Sequence, residues 1–186
     1  LMFFRQYYLD CLSHASYLIG DTTSGRAVVV DPQGDVVAYL TDAAENGLTI
    51  VAVLETHFHA DFLSGHLELA ARTGATIGYG AAAAGRAEFP IETYRDGDRI
   101  RLGADDQSVE LEIRETPGHT PESISIVIFP TGAAGAGVEA VRAVQREVDE
   151  AIEPERPACS FDRVAELVDG VDRRCGGLAG LVGVTG

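Results

Sequence analysis

The sequence predicts a mixed α/β (α+β) domain, and three observations carry that expectation. The opening third runs strand, turn and strand in tight succession. Amphipathic helical stretches then separate short apolar runs rich in β-branched residues. Further on, Val109-Glu110-Leu111-Glu112-Ile113-Arg114 alternates strictly, the period of a strand with one face in a core and the other in water.

Taken in order, residues 3–9, 15–20 and 26–30 read as strands, with Gly20-Asp21 and Thr23-Ser24-Gly25 as punctuation. Pro32 and Asp35 open a helix over 35–45 whose apolar face is Val36, Val37, Leu40 and Ala44, and Asn46-Gly47 ends it. A buried strand over 49–54 follows. A second helix spans 63–72, with Leu63, Leu67 and Ala70-Ala71 inward and Gly74 as its stop. Residues 75–79 form a short strand, and the run of four alanines at 81–84 a brief helix. Asp96-Gly97-Asp98 reads as a hairpin turn into 99–102, and 123–129 as an alternating strand with Ile124, Ile126 and Ile128 inward. The pattern changes at Pro130. Beyond it lie two helical patterns, one with Val138, Val141, Val144, Val148 and Ile152 on a face, the other with Phe161, Val164, Leu167, Val168 and Val171. The division expected is 1–132 for the strand-rich unit and 133–186 for a divergent helical tail.

The chain has 186 residues, of which 46% are hydrophobic, enough for a sizeable core. Its formal net charge of −15, with every basic residue an arginine, speaks against nucleic acid or an anionic membrane as partner, because both are polyanions. Cys11, Cys159 and Cys175 are odd in number and far apart, which suggests neither a disulfide framework nor a zinc knuckle, and a reduced, cytoplasmic compartment fits best. No basic-then-apolar leader is visible at the start, and no apolar run is long enough for a membrane span.

The chemistry concentrates where the strand over 49–54 ends. His57, His59 and Asp61 follow at alternate positions, and alternate side chains of an extended segment point the same way. Imidazole and carboxylate are ligands for zinc or iron. One histidine at a strand end is ordinarily a satisfied polar residue, but three potential ligands in five positions are harder to dismiss. His119, on a Pro-Gly turn after another strand, is the natural third histidine, since two strand-end loops can lie side by side. His14 reads as a polar residue at a strand start and His66 as a surface or packing residue.

These motifs resemble the metallo-β-lactamase superfamily. The residues that carry the likeness are Thr56-His57-Phe58-His59-Ala60-Asp61 and Thr116-Pro117-Gly118-His119-Thr120-Pro121-Glu122-Ser123, with Asp31-Pro32, the segment from Cys11 to Gly20, and Leu63-Ser64-Gly65-His66. Within the superfamily they look most like the persulfide dioxygenases and the lactamase-fold–rhodanese fusions. The resemblance covers about residues 3–129 and implies a four-layer αββα sandwich with its site at one edge, here with an incomplete second half. It implies metal at His57 and His119, with His59 and Asp61 in or beside the coordination sphere. The dinuclear hydrolases of the superfamily carry a histidine directly after the aspartate. Here Phe62 stands there, which favours a mononuclear site. The family's later aspartate follows a Thr-Gly pair, whereas Thr131-Gly132 is followed by Ala133.

Three functions follow as expectations. The first is a mononuclear Fe(2+) dioxygenase that oxidises glutathione persulfide, or a similar thiol-derived persulfide, to sulfite. The second is a Zn(2+)-dependent thioester hydrolase of the glyoxalase II kind, with Asp61 as the catalytic residue that orients water. The third is a non-catalytic remnant that binds metal weakly or not at all. Half of such a sandwich would expose a sheet face, which the tail helices could cover or a homodimer could bury.

Overall fold

The computed structural model describes residues 1–104, 108–130 and the backbone of 141–142; of Cys11 it describes the backbone alone. β1 (Met2–Leu9), β2 (His14–Asp21) and β3 (Arg26–Val30) pair antiparallel in succession. The β2–β3 turn closes through the Gly25 amide, which donates to the Asp21 carbonyl at 2.8 Å, with Gly25 at φ +69° where a side chain would be strained. Then α1 (Val37–Glu45), β4 (Thr49–Leu54), α2 (His66–Thr73), β5 (Thr76–Gly80) and β6 (Glu92–Tyr94) add three strands parallel to β3. The six strands form one sheet in sequence order. β7 (Arg99–Arg101), β8 (Glu110–Glu115), β9 (Ile124–Phe129) and β10 (Val141–Arg142) make a second, antiparallel sheet in the order β10-β9-β8-β7.

Side-chain alternation builds the layers. Tyr17, Ile19, Val28, Val30, Ala52 and Leu54 point from the first sheet toward Leu111, Ile113, Ile124, Ile126 and Ile128 of the second. The other face of the first sheet presents Leu18, Val29, Ile50 and Val53 to Val36, Tyr39 and Ala43 beside α1 and to Leu69 of α2. The described residues therefore stack helices, sheet and sheet. The outer helical layer expected beyond the second sheet, like most of the tail at 133–186, falls outside them. β4 carries a register shift against β3: Ala27 pairs with Ile50 but Val28 with Ala52. The extra residue, Val51, packs with Ala52 on the side facing the second sheet. No described helix is long and apolar enough to cross a membrane.

Several expectations need correction. The α1 face is rotated and agrees only in part with the one expected: Val36 and Leu40 turn inward, but Tyr39 and Ala43 are buried while Val37 and Ala44 are exposed. Tyr39 sets that rotation, since its hydroxyl meets Ser16 Oγ at 2.6 Å and accepts from the Gln33 amide at 2.9 Å. α2 starts at His66 rather than 63, leaving Leu63 and Leu67 exposed and Leu69 inward. Ser64 is bridged to Gln33, and the Gly65 amide donates to the Pro32 carbonyl at 3.0 Å, so these residues are spent on a loop before the helix can begin. The turn at Asp96–Asp98 forms, but its flanking strands β6 and β7 lie in different sheets, so it is a crossover rather than a hairpin. Glu110 and Glu112 were expected in water and are buried; Arg99 reaches both, Arg101 pairs with Glu110 and Arg114 with Glu112. Val141 was placed on a helical face, yet with Arg142 it extends the open edge of β9, whose backbone groups need partners.

Candidate metal centre

His57, His59 and Asp61 leave the C-terminal end of β4 on the loop that leads to α2, and His119 sits on the β8–β9 loop. Backbone contacts hold the two loops together. The Ile124 amide donates to the Thr56 carbonyl at 2.9 Å, and the Phe58 amide to Glu122 Oε1 at 3.1 Å. His57 consequently stands between the other two histidines, its ring centroid 3.9 Å from that of His59 and 4.9 Å from that of His119. His57 is buried, the His59 side chain is 2% exposed, Asp61 is 43% exposed on its side chain, and His119 is exposed.

Asp31, which ends β3 with φ +47°, organises both inner rings. Its Oδ1 accepts from the Thr56 amide at 2.8 Å and meets His59 Nε2 at 3.0 Å; its Oδ2 accepts the Thr56 hydroxyl at 2.8 Å. The Thr56 proton is thus committed, so His57 Nδ1, 3.0 Å from that hydroxyl oxygen, must be the donor there. His57 is left with a lone pair on Nε2, and His59 with one on Nδ1. That Nδ1 is buried and has no hydrogen-bond partner among the described residues, while Asp61 Oδ1 lies 3.7 Å away. A buried imidazole nitrogen with a free lone pair suits a metal ligand and is costly otherwise. Burial, then the neighbouring His59, lowers His57 to about 4, keeping it in the neutral form a metal requires. Neutral imidazole nitrogens with open lone pairs are the kind of donor that zinc and ferrous ions take.

A different trio is closer together. Asp31, Glu55 and His59 offer ligand atoms within 4.8 Å of one another, the one such group among the described residues. It does not suit an ion, because Asp31 already holds three donors and burial, then Asp31, raises Glu55 well above the carboxylate range. Glu55 Oε1 accepts from Ser64 Oγ at 2.6 Å, with His66 Nδ1 3.5 Å away. His66 is thus drawn beneath the site beside Tyr79 and Phe89 rather than lying free on a surface. His14, the first residue of β2, is buried with neither ring nitrogen hydrogen-bonded among the described residues. Phe62 lies between, its centroid 3.9 Å from that of His14 and 4.5 Å from that of His59.

Reasoning from sequence alone assigned no role to Asp31, Thr56, Glu55, Glu122 or Arg86. A usable signal was present for four of them: Asp31, Thr56 and Glu122 stand in the motifs that carry the resemblance, and Glu55-Thr56 puts polar residues directly after an apolar strand, where burial forces them to find partners.

The pattern of the metallo-beta-lactamase superfamily matches residues 9–137. The chain belongs to that superfamily. Among its curated relatives are hydroxyacylglutathione hydrolases of Cereibacter sphaeroides, 37% identical over 133 residues, and of Hahella chejuensis, 40% identical over 102. These alignments take in 69% and 54% of this chain but 49% and 37% of the relatives, so the chain spans half or less of the length of those enzymes. Among solved structures, a metallo-beta-lactamase from Staphylococcus aureus superposes with a TM-score of 0.63 at 39% identity, over 69% of this chain and 37% of the other. ETHE1 from Myxococcus xanthus superposes with a TM-score of 0.59 at 35% identity, over 68% of this chain and 53% of the other. The superfamily's sandwich accounts for the two stacked sheets and for the site at their edge.

Proposed function

We propose that this chain supplies the metal centre for hydrolysis of a glutathione thioester, with zinc held by His57, His59 and His119. The observation that carries the reading is the buried, unpartnered Nδ1 of His59, aligned by Asp31 and flanked by Asp61. The hydroxyacylglutathione hydrolases among the relatives support the same substrate class.

A zinc ion at these residues would acidify a water molecule and polarise the thioester carbonyl. The chain's own residues do the rest. Asp31 and Thr56 fix the tautomers of His59 and His57 so that both offer lone pairs. Asp61, open to solvent beside His59, accepts a hydrogen bond from the attacking water and aims it at the carbonyl carbon. The thiolate of glutathione leaves as the C–S bond breaks, and it is protonated from solvent.

One observation favours a second reading, iron-dependent oxidation of a persulfide. Phe62 packs against His14 and His59 beside Asp61, where an aromatic ring cannot serve a second metal. The two separate in one experiment on the full chain purified without added metal. Zinc by elemental mass spectrometry, with free thiol released from a hydroxyacylglutathione, supports the hydrolase. Iron with oxygen uptake that depends on glutathione persulfide replaces it with the dioxygenase, and metal with neither activity rejects both.

A further inference from the structure

We propose that Arg86 is a positioning residue for the metal ligands, acting through Glu122 on the peptide link between His57 and His59; the proposal rests on the reading of His57 and His119 as ligands. Phe58 separates His57 from His59, so whatever holds its amide sets the path of both rings. That amide donates to Glu122 Oε1 at 3.1 Å, and Glu122, three residues after His119, belongs to the opposite histidine loop. Its other oxygen, Oε2, accepts from Arg86 Nη1 at 2.6 Å. The Arg86 guanidinium also covers the Phe58 ring, 5.0 Å from its centroid, and that ring stacks on Tyr79 with centroids 4.7 Å apart. One arginine therefore touches the residue between two candidate ligands and the carboxylate that follows the third.

The surroundings are built for this clamp. Glu122 is 2% exposed, and a buried carboxylate without a cation would be a large cost. Gly80 gives the loop room, since a Cβ there would lie 2.3 Å from the Glu122 carbonyl oxygen. Arg86 is held from below by its own amide, which donates to the Ala83 carbonyl at 3.0 Å. The planar fork of arginine suits a task that joins a carboxylate to a ring face; lysine can supply only the charge.

The test uses the full chain with Arg86→Gln, Arg86→Lys and Glu122→Gln. Amide hydrogen exchange is read in the metal-free protein, and zinc affinity by competition with a chelating dye. Arg86→Gln and Glu122→Gln should speed exchange at Phe58 by roughly tenfold and leave the amide of Val53 in β4 unchanged. Zinc should bind about 10–100-fold more weakly in both, with part of the loss recovered in Arg86→Lys. Wild-type exchange at Phe58, or wild-type zinc affinity, in Arg86→Gln overturns the proposal. Faster exchange at Phe58 and Val53 together overturns it as well, because the contact would then serve only the stability of the fold. A wild-type chain that takes up no zinc rejects the ligand reading itself, and faster Phe58 exchange alone would then report a clamp with no ligands to position.

Discussion

Asp31 meets His59 Nε2 at 3.0 Å and, through the hydroxyl of Thr56, also decides which nitrogen of His57 carries the proton. One carboxylate thus prepares two rings. Asp31→Asn keeps the shape and tolerates the positive φ, but its amide nitrogen must face one of the donors now satisfied. Zinc affinity should fall about 10–100-fold. Stability should fall by roughly 1–3 kcal/mol, read as a lower Tm in the presence of chelator.

Phe62 closes the space beside Asp61. Phe62→His places an imidazole next to that carboxylate, and elemental analysis should show zinc rising from about one toward two per chain. An unchanged count would mean that the neighbouring space has lost the rest of its ligands.

A pH dependence follows from the buried imidazoles. Burial, then nearby His59, lowers His66 below its ordinary 6.5, and burial also lowers His14. The unfolded chain takes up these protons near pH 6.5, the folded chain only at lower pH. Stability is therefore complete above about 6.5 and drains away as the pH falls below it. Melting with chelator present, from about pH 8 to about pH 5, should show a falling Tm, and His66→Phe should make the decline shallower. An equal slope in the variant would show that His66 titrates alike in both states.

Gly80→Ala probes the seam between the loops. The added carbon would stand 2.3 Å from the Glu122 carbonyl oxygen and 2.7 Å from Ile124 Cγ2, so backbone must move. A cost of about 1–3 kcal/mol is expected, together with weaker zinc binding because the same shift displaces the His119 loop. Equal stability would mean that β9 retreats freely.

Legibility in the sequence divides along the range of the forces. Strands over 26–30 and 49–54 announce themselves through β-branched runs, and the structure places both with those bounds. The short strand Glu92–Tyr94 gave no signal: it has three residues, follows Pro90, and exists because β5 offers it an edge. Helix faces misled because Leu63 and Leu67 are apolar yet exposed, while Tyr39 is buried by the partners of its hydroxyl. The histidines of the site were legible from spacing and Pro-Gly context. The parts of Asp31, Glu122 and Arg86 were not: Asp31 reaches Thr56 and His59 through the pairing of β3 with β4, and Glu122 meets Arg86 and the Phe58 amide only because the two sheets dock.

Val51 raises a different matter, that of count against identity. It is the surplus residue of β4, and beyond it Val53 rather than Ala52 faces the helices. The polar segment from Glu55 to His59 inherits that sidedness as it leaves the strand. Trading Val51 for another aliphatic residue leaves the sidedness alone, and so would deleting it. Ile50 would then run straight into Ala52, with Val28↔Ala52, Val29↔Val53 and Val30↔Leu54 still paired and Leu54 still facing the second sheet. An added residue after Val51 is what would turn Leu54 and the histidines to the other side. In a library of variants this position should accept many letters and even a gap, but no insertion beside it.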